Sequence, residues 1–275
     1  MTPTTPRIAE LQAPSDWQVV DFISDLHLQK SEPRTAELWL AYLASTRADA
    51  LFILGDLFET WVGDDGLLAH QPEPESVEAF EQACVQALHT ASQGRRVFLM
   101  HGNRDFLIGQ QFAQACQLTL LDDPTVLDFG NRRWLLSHGD ALCLDDTDYL
   151  HFRAQVRSLP WQQTFLARPL TQRREIAAQL RAQSETRKLA GASYGDVDST
   201  LAQSWLRAAH ADTLIHGHTH RPADHALGQG LKRLVLSDWE ASANPARAQV
   251  LRLLRAAQAG AEGLSIERLH PLSLG

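Results

Sequence analysis

An α/β layered fold with a helical insertion is what the sequence predicts. Three observations carry it: brief apolar runs, longer stretches of helical period between them, and one basic segment unlike its surroundings. The chain has 275 residues, of which 44% are apolar, enough for a buried core and against disorder as the general state. That length suits one large domain, or a domain plus an insertion.

Residues 19–23, 50–54, 97–100, 134–136 and 213–215 are short and rich in branched or aromatic side chains, the pattern of buried strands. Val77, Phe80, Cys84, Val85 and Leu88 recur at helix spacing, with Gly94 placed to follow the helix end. Residues 231–236, 249–254 and 264–269 read as further strands that complete a second sheet. Residues 1–16 hold Thr and Pro without the apolar block of an export signal, so an unordered tail and a cytoplasmic address are expected. No run is long and apolar enough to cross a membrane. Cys84, Cys116 and Cys143 are odd in number and lack CxxC spacing, which argues for buried thiols rather than disulfides or a thiolate zinc site.

The core is thus expected over 17–145 and 200–275, with 146–199 inserted between. From 151 to 190 the chain has eight bases (Arg153, Arg157, Arg168, Arg173, Arg174, Arg181, Arg187, Lys188) and two acids, in a protein of net charge −8. Apolar residues interleave with them, and Pro160 and Pro169 should divide the run into several helices. The ordinary reading of such a run is a solvated helix face.

Polar residues suited to metals follow each of the first five apolar runs. Asp25 and His27 follow the first, Asp56 the second, Asn103 the third, His138 and Asp140 the fourth, and His216 and His218 the fifth. Ligands bind beyond the carboxyl ends of strands in open α/β sheets, so the five endings are expected to converge. Alone, each residue has an ordinary use: Asp25 caps a turn, Asn103 takes a left-handed turn, His138 is a hydrogen-bonded core histidine. Together they point to a metal site. Carboxylate, imidazole and amide donors without thiolate suit Mn2+, Fe2+ or Zn2+. The donors are too many for one tetrahedral ion but suit two ions sharing Asp56, an arrangement that activates water and clamps a phosphoryl group for in-line attack. Hydrolysis of a phosphoester or phosphoanhydride is the expected chemistry.

The blocks DLH (25–27), GDLFE (55–59), GNRD (102–105), SHGD (137–140) and HGHTH (216–220) resemble the calcineurin-like metallophosphoesterases, a likeness running from Val20 to Trp239. The resemblance implies a four-layer α/β/β/α sandwich of two mixed sheets. It also implies two divalent cations, usually Mn2+: one held by Asp25, His27, Asp56 and His218, the other by Asp56, Asn103, His138 and His216. The longer blocks GDLFETWVGDD, HGNRDFLIG, HGDALCLDD and LIHGHTHRPA are similar to the branch that acts on UDP-2,3-diacylglucosamine. That likeness implies water attack on the α-phosphorus, release of UMP and 2,3-diacylglucosamine 1-phosphate, and a place in lipid A synthesis on the cytoplasmic face of a Gram-negative inner membrane. It implies substrate contacts at Asn103, Arg104, Asp146, Ser184, Lys188 and His216, with Asn103, Arg104 and His216 at the reacting phosphate. Lys188 is carried over across a stretch one residue shorter than the family's.

Arg104 stands where many relatives carry His, and a guanidinium cannot protonate a leaving group at ordinary pH. A phosphate leaving group needs little such help, so Arg104 suits a diphosphate, which it would neutralise and orient. Pairing with Asp105 is its structural alternative. His220 is expected to support the ligands from behind, and Trp61, matching a family block, to be packing. The insertion is expected to serve as a lid, its greasy face for acyl chains and its bases for an anionic membrane surface. The acidic balance argues against nucleic acid, and no obligate protein partner is evident. The alternatives are a phosphodiesterase acting on another nucleotide or nucleic acid, and a non-catalytic scaffold, which the full ligand set disfavours.

Overall fold

The computed structural model describes residues 6–68, 72–189, 195–255 and 263–273. Two six-stranded mixed sheets stack face to face. In chain order the first strands and helices are β1 (Ala9–Gln12), β2 (Val19–Ile23), α1 (Pro33–Ser45), β3 (Ala50–Leu54), α2 (Val77–Ser92), β4 (Arg96–Met100), α3 (Gln110–Cys116) and β5 (Thr119–Leu121). Next come β6 (Thr125–Phe129), β7 (Arg132–Ser137), α4 (Thr147–Val156), α5 (Leu159–Leu166) and α6 (Leu170–Leu189). The chain closes with α7 (Ser199–Ala208), β8 (Thr213–His216), β9 (Ala223–Gly228), β10 (Leu231–Val235), β11 (Val250–Arg255) and β12 (Leu264–Leu269).

One sheet has the order β12-β11-β2-β3-β4-β5 and the other β1-β6-β7-β8-β10-β9. β2, β3 and β4 run parallel, as do β7, β8 and β10, so within each sheet their carboxyl ends share one edge. Every residue of β3 is buried, because helices cover one face of its sheet and the second sheet covers the other. Between the sheets lie Val20, Phe22, Phe52, Phe98, Trp134, Leu136, Ile215, Leu234 and Leu251. Phe52 stacks on Phe22 and Phe98 at 5.1 and 4.6 Å between centroids. A Phe52→Ala variant is expected to lose about 3–5 kcal/mol of stability, read from urea unfolding, since neighbours held on both sides cannot collapse into the cavity. Residues of α1, α2 and α3 pack on the outer face of the first sheet, and those of α7 on the outer face of the second, which completes the four layers.

The structure corrects the sequence reading of the strands in two places. Residues 9–12 of the expected tail form β1, paired in parallel with β6. The three late strands do not join one sheet: β10 lies beside β8, whereas β11 and β12 extend the sheet of β2. The three cysteines are free and buried.

The insertion is three helices, with Pro160 in the first turn of α5 and Pro169 immediately before α6. Phe165 is buried against the α1–α3 layer, with Trp161, Leu170 and Ile176 partly so. Its bases do not simply face solvent or lipid. Arg153 donates to Asp140 at 2.8 Å, and Arg157 donates to the Gly102 carbonyl at 2.8 Å. Arg173, itself buried, pairs with Asp65; Arg174 pairs with Glu78 and Glu81; Arg181 pairs with Glu59. Five of the eight bases are therefore matched to the core surface, and these contacts hold α4–α6 against α2 and the loops after β3, β4 and β7.

Candidate metal centre

The loops after β2, β3, β4, β7 and β8 meet at one place. Asp25 and Asp56 are fully buried carboxylates, and Asp56 Oδ2 lies 4.0 Å from His27 Nε2 and 3.8 Å from His138 Nε2. His220 Nε2 lies 3.2 Å from His27 Nε2 and 3.4 Å from Asp25 Oδ1. Ligand atoms of Asp25, His27 and His220 fall within 4.8 Å of one another, as do those of Asp25, Asp56 and His138. The Asn103 amide sits 3.0 Å from His138 Nε2 and 2.9 Å from His218 Nδ1. His138 and His218 are neighbours, their ring centroids 5.1 Å apart.

Backbone conformation singles out the same set. Asp25, His27, Asp56, His218 and His220 all take positive φ, between 48° and 67°. L residues adopt that region at a cost, and such conformations cluster at functional sites. Glycines let the loops approach closely. A Cβ on Gly217 would come within 2.4 Å of Asp25 Oδ2, and one on Gly102 within 2.0 Å of Asp56 Oδ1.

Electrostatics follow from the crowding. Burial alone would raise the Asp25 carboxyl, but His220, His138 and His27 hold it well below the ordinary range. Burial opposes the charged form of His138, yet Asp56, Asp140 and Asp25 push its pKa up to about 9. Burial, reinforced by His138, takes His218 down to about 4. Two buried carboxylates with imidazole nitrogens 3–4 Å away form a hole that suits positive charge, and the donor set has no thiolate. These residues fit two divalent cations, with Asp56 placed between the histidines of the two halves.

One predicted residue is not part of the cluster. His216 ends β8, so strand alternation puts its side chain on the face of Leu214, toward α7, opposite to the inward Ile215. Its Nδ1 lies 2.9 Å from the Gly217 carbonyl oxygen, and its Nε2 lies 3.5 Å from Arg233, which pairs with Asp196. The expectation that His216 ligates a metal or touches substrate is therefore corrected. His220, expected behind the ligands, stands among them, and Asp238 lies 3.7 Å from its Nδ1. His218 faces Asn103 and His138, the half that the sequence reading gave to His216.

Arg104 is not paired with Asp105. The Asp105 carboxylate accepts from the Leu57 and Gly102 amides at 2.7 and 2.8 Å, tying two metal loops together. Arg104 instead reaches Asp56 at 3.9 Å and Glu59 at 3.4 Å. Asp146 caps α4, its Oδ1 accepting from the Tyr149 amide at 3.0 Å. Ser184 and Lys188 lie in α6, but their side chains are outside the described residues. Sequence reasoning missed Tyr149, whose ring lies over His218 with centroids 6.1 Å apart and whose hydroxyl donates to Asp140 at 2.5 Å. Trp61 packs on Phe58 and Phe112, as expected of a core aromatic.

Residues 19–222 match the family described as calcineurin-like phosphoesterase. Similar curated proteins carry the name UDP-2,3-diacylglucosamine hydrolase. That of Aromatoleum aromaticum is 45% identical over 225 residues, covering 79% of this chain and 88% of the relative. That of Cellvibrio japonicus is 45% identical over 224 residues, covering 79% and 90%. That of Xanthomonas axonopodis pv. citri is 41% identical over 267 residues, covering 90% and 98%.

Proposed function

Because this chain belongs to the calcineurin-like phosphoesterases, and within them to the UDP-2,3-diacylglucosamine hydrolases, we propose a dinuclear site whose own residues carry out that hydrolysis. The reaction is water attack on the α-phosphorus of UDP-2,3-diacylglucosamine, giving UMP and 2,3-diacylglucosamine 1-phosphate, a step of lipid A synthesis. The observation that carries the site is the convergence of Asp25, Asp56 and three left-handed histidines on one point. Asp25, His27, Asp56 and His220 would hold one cation, and Asp56, Asn103, His138 and His218 the other. Mn2+ suits these oxygen and nitrogen donors. When bound, two such cations polarise phosphoryl oxygens and ease deprotonation of the attacking water.

The chain's residues supply position and charge. Arg104, which lies beside Asp56 and Glu59, would meet the diphosphate with paired N–H groups, and Asn103 would donate or accept beside it. No general acid is needed on the leaving side, because a sugar phosphate with a second pKa near about 6 leaves without a proton. Asp146, Ser184 and Lys188, carried on the lid and at its base, are proposed to contact the substrate head. In the test, protein and Mn2+ are incubated in oxygen-18 water with UDP-2,3-diacylglucosamine, a UDP-sugar lacking acyl chains, and bis(4-nitrophenyl) phosphate. Label in UMP from the acylated substrate is expected; turnover of only the generic diester would reject the substrate.

The lid also supports attachment to the inner face of the inner membrane. Among the described residues no helix is long and apolar enough to cross a membrane. Leu159, Phe152 and Leu166 on the lid nevertheless stand exposed, Leu159 at 71%. With five lid arginines paired to the core, apolar insertion rather than charge should dominate. Leu159→Asp is expected to weaken association with phosphatidylglycerol vesicles by about tenfold, the loss of one buried Leu. Unchanged cosedimentation would remove the lid from membrane contact.

A further inference from the structure

Glu59 joins parts that the reaction needs together. Its Oε2 lies 3.2 Å from His27 Nδ1, and its Oε1 lies 3.4 Å from Arg104 Nη1. The same carboxylate pairs with Arg181 of the lid helix α6. His27 Nδ1 is buried and has no aligned hydrogen bond, and the Glu59 carboxylate lies within reach of it. The opposite ring nitrogen, Nε2, faces Asp56 and His220.

We propose that Glu59 is a positioning residue: it fixes His27 with Nε2 toward the metal site, holds Arg104 beside the phosphates, and ties both to the lid through Arg181. This inference rests on the two-cation reading above. A carboxylate behind a metal-binding imidazole keeps the proton on the far nitrogen and increases the basicity of the near one. The charge arithmetic agrees. Two arginines and an imidazole N–H converge on one carboxylate, so removing it would leave Arg104 and Arg181 near each other without their shared counter-charge. Arg104 would then fold onto Asp56, the residue that must remain available to both cations. Glu59 touches neither the proposed ligand atoms nor the reacting phosphorus; it acts through His27 and Arg104.

The test uses the full chain and four variants: Glu59→Ala, Glu59→Gln, Arg181→Met, and the double variant of Glu59→Ala with Arg181→Met. Mn2+ affinity is measured by calorimetric titration of the metal-free protein, and kcat and KM with UDP-2,3-diacylglucosamine. Glu59→Ala is expected to weaken Mn2+ binding about 10–100-fold, the range for losing a partner behind a metal ligand. Glu59→Gln, similar in shape and retaining one acceptor oxygen, should fall between wild type and Ala. Arg181→Met should leave Mn2+ affinity at the wild-type value and raise KM. Adding it to Glu59→Ala should raise KM no further, since the pair is then already broken. Wild-type Mn2+ affinity in folded Glu59→Gln and Glu59→Ala overturns the proposal, as does a KM effect of Arg181→Met that adds fully to that of Glu59→Ala. If wild type releases no UMP, the substrate reading fails, yet the Mn2+ titrations still decide the role of Glu59.

Discussion

Asp56→Ala is expected to release UMP about a thousandfold more slowly than wild type while keeping its circular dichroism spectrum. The carboxylate stands between His27 and His138, 4.0 and 3.8 Å from their nitrogens, so on the proposed reading its loss takes a donor from both cations at once. Cation stabilisation of a phosphoryl transition state is worth several kcal/mol, and each 1.36 kcal/mol is tenfold in rate. Folding should survive because the strand cores do not depend on it. The backbone contact it makes, accepting from the Arg104 amide at 2.8 Å, lies in a loop also held by Asp105. Turnover within tenfold of wild type, at saturating Mn2+, would remove the shared-carboxylate arrangement.

The second large effect separates two histidines of one motif. His220→Ala is expected to lose at least about a hundredfold in Mn2+ affinity, whereas His216→Gln should bind Mn2+ close to wild type. His220 lies 3.4 Å from Asp25 and 3.2 Å from His27, while His216 faces Arg233 on the α7 side of its sheet. The cost of His216→Gln should appear in urea unfolding instead, since its ring is buried beside Arg233. The reverse ranking of affinities would restore His216 as a ligand and displace His220.

This pair also shows where sequence reasoning stops. Three histidines alternate in HGHTH, and on a continued strand all three would share a face. The chain leaves the strand after His216, and positive φ at His218 and His220 turns those two back to the site. Spacing alone cannot locate that departure. The usable signal is parity: Ile215 must point into the core between the sheets, so His216 points outward. The strands leading to Asp25, Asp56 and Asn103 were legible because burial on both faces favours apolar residues along most of their length. Edge strands β1 and β9 alternate half-buried and exposed positions, with Glu10, Asp224 and His225 among them, and so resemble loop sequence. The lid's basic character was plain, but its partners were not, because Asp65, Glu78 and Glu59 lie about a hundred positions earlier in the chain.

The left-handed backbone at five site residues carries a cost that the fold bears whether or not a cation is present. Each such residue gives up about 1–2 kcal/mol relative to a relaxed conformation, and glycine would recover much of it. Selection for thermal robustness alone would therefore drift these positions toward glycine. On the proposed two-cation reading, their occupation by Asp and His marks the conformational stability exchanged for a preformed cation cradle, which metal loading would return as linked binding energy.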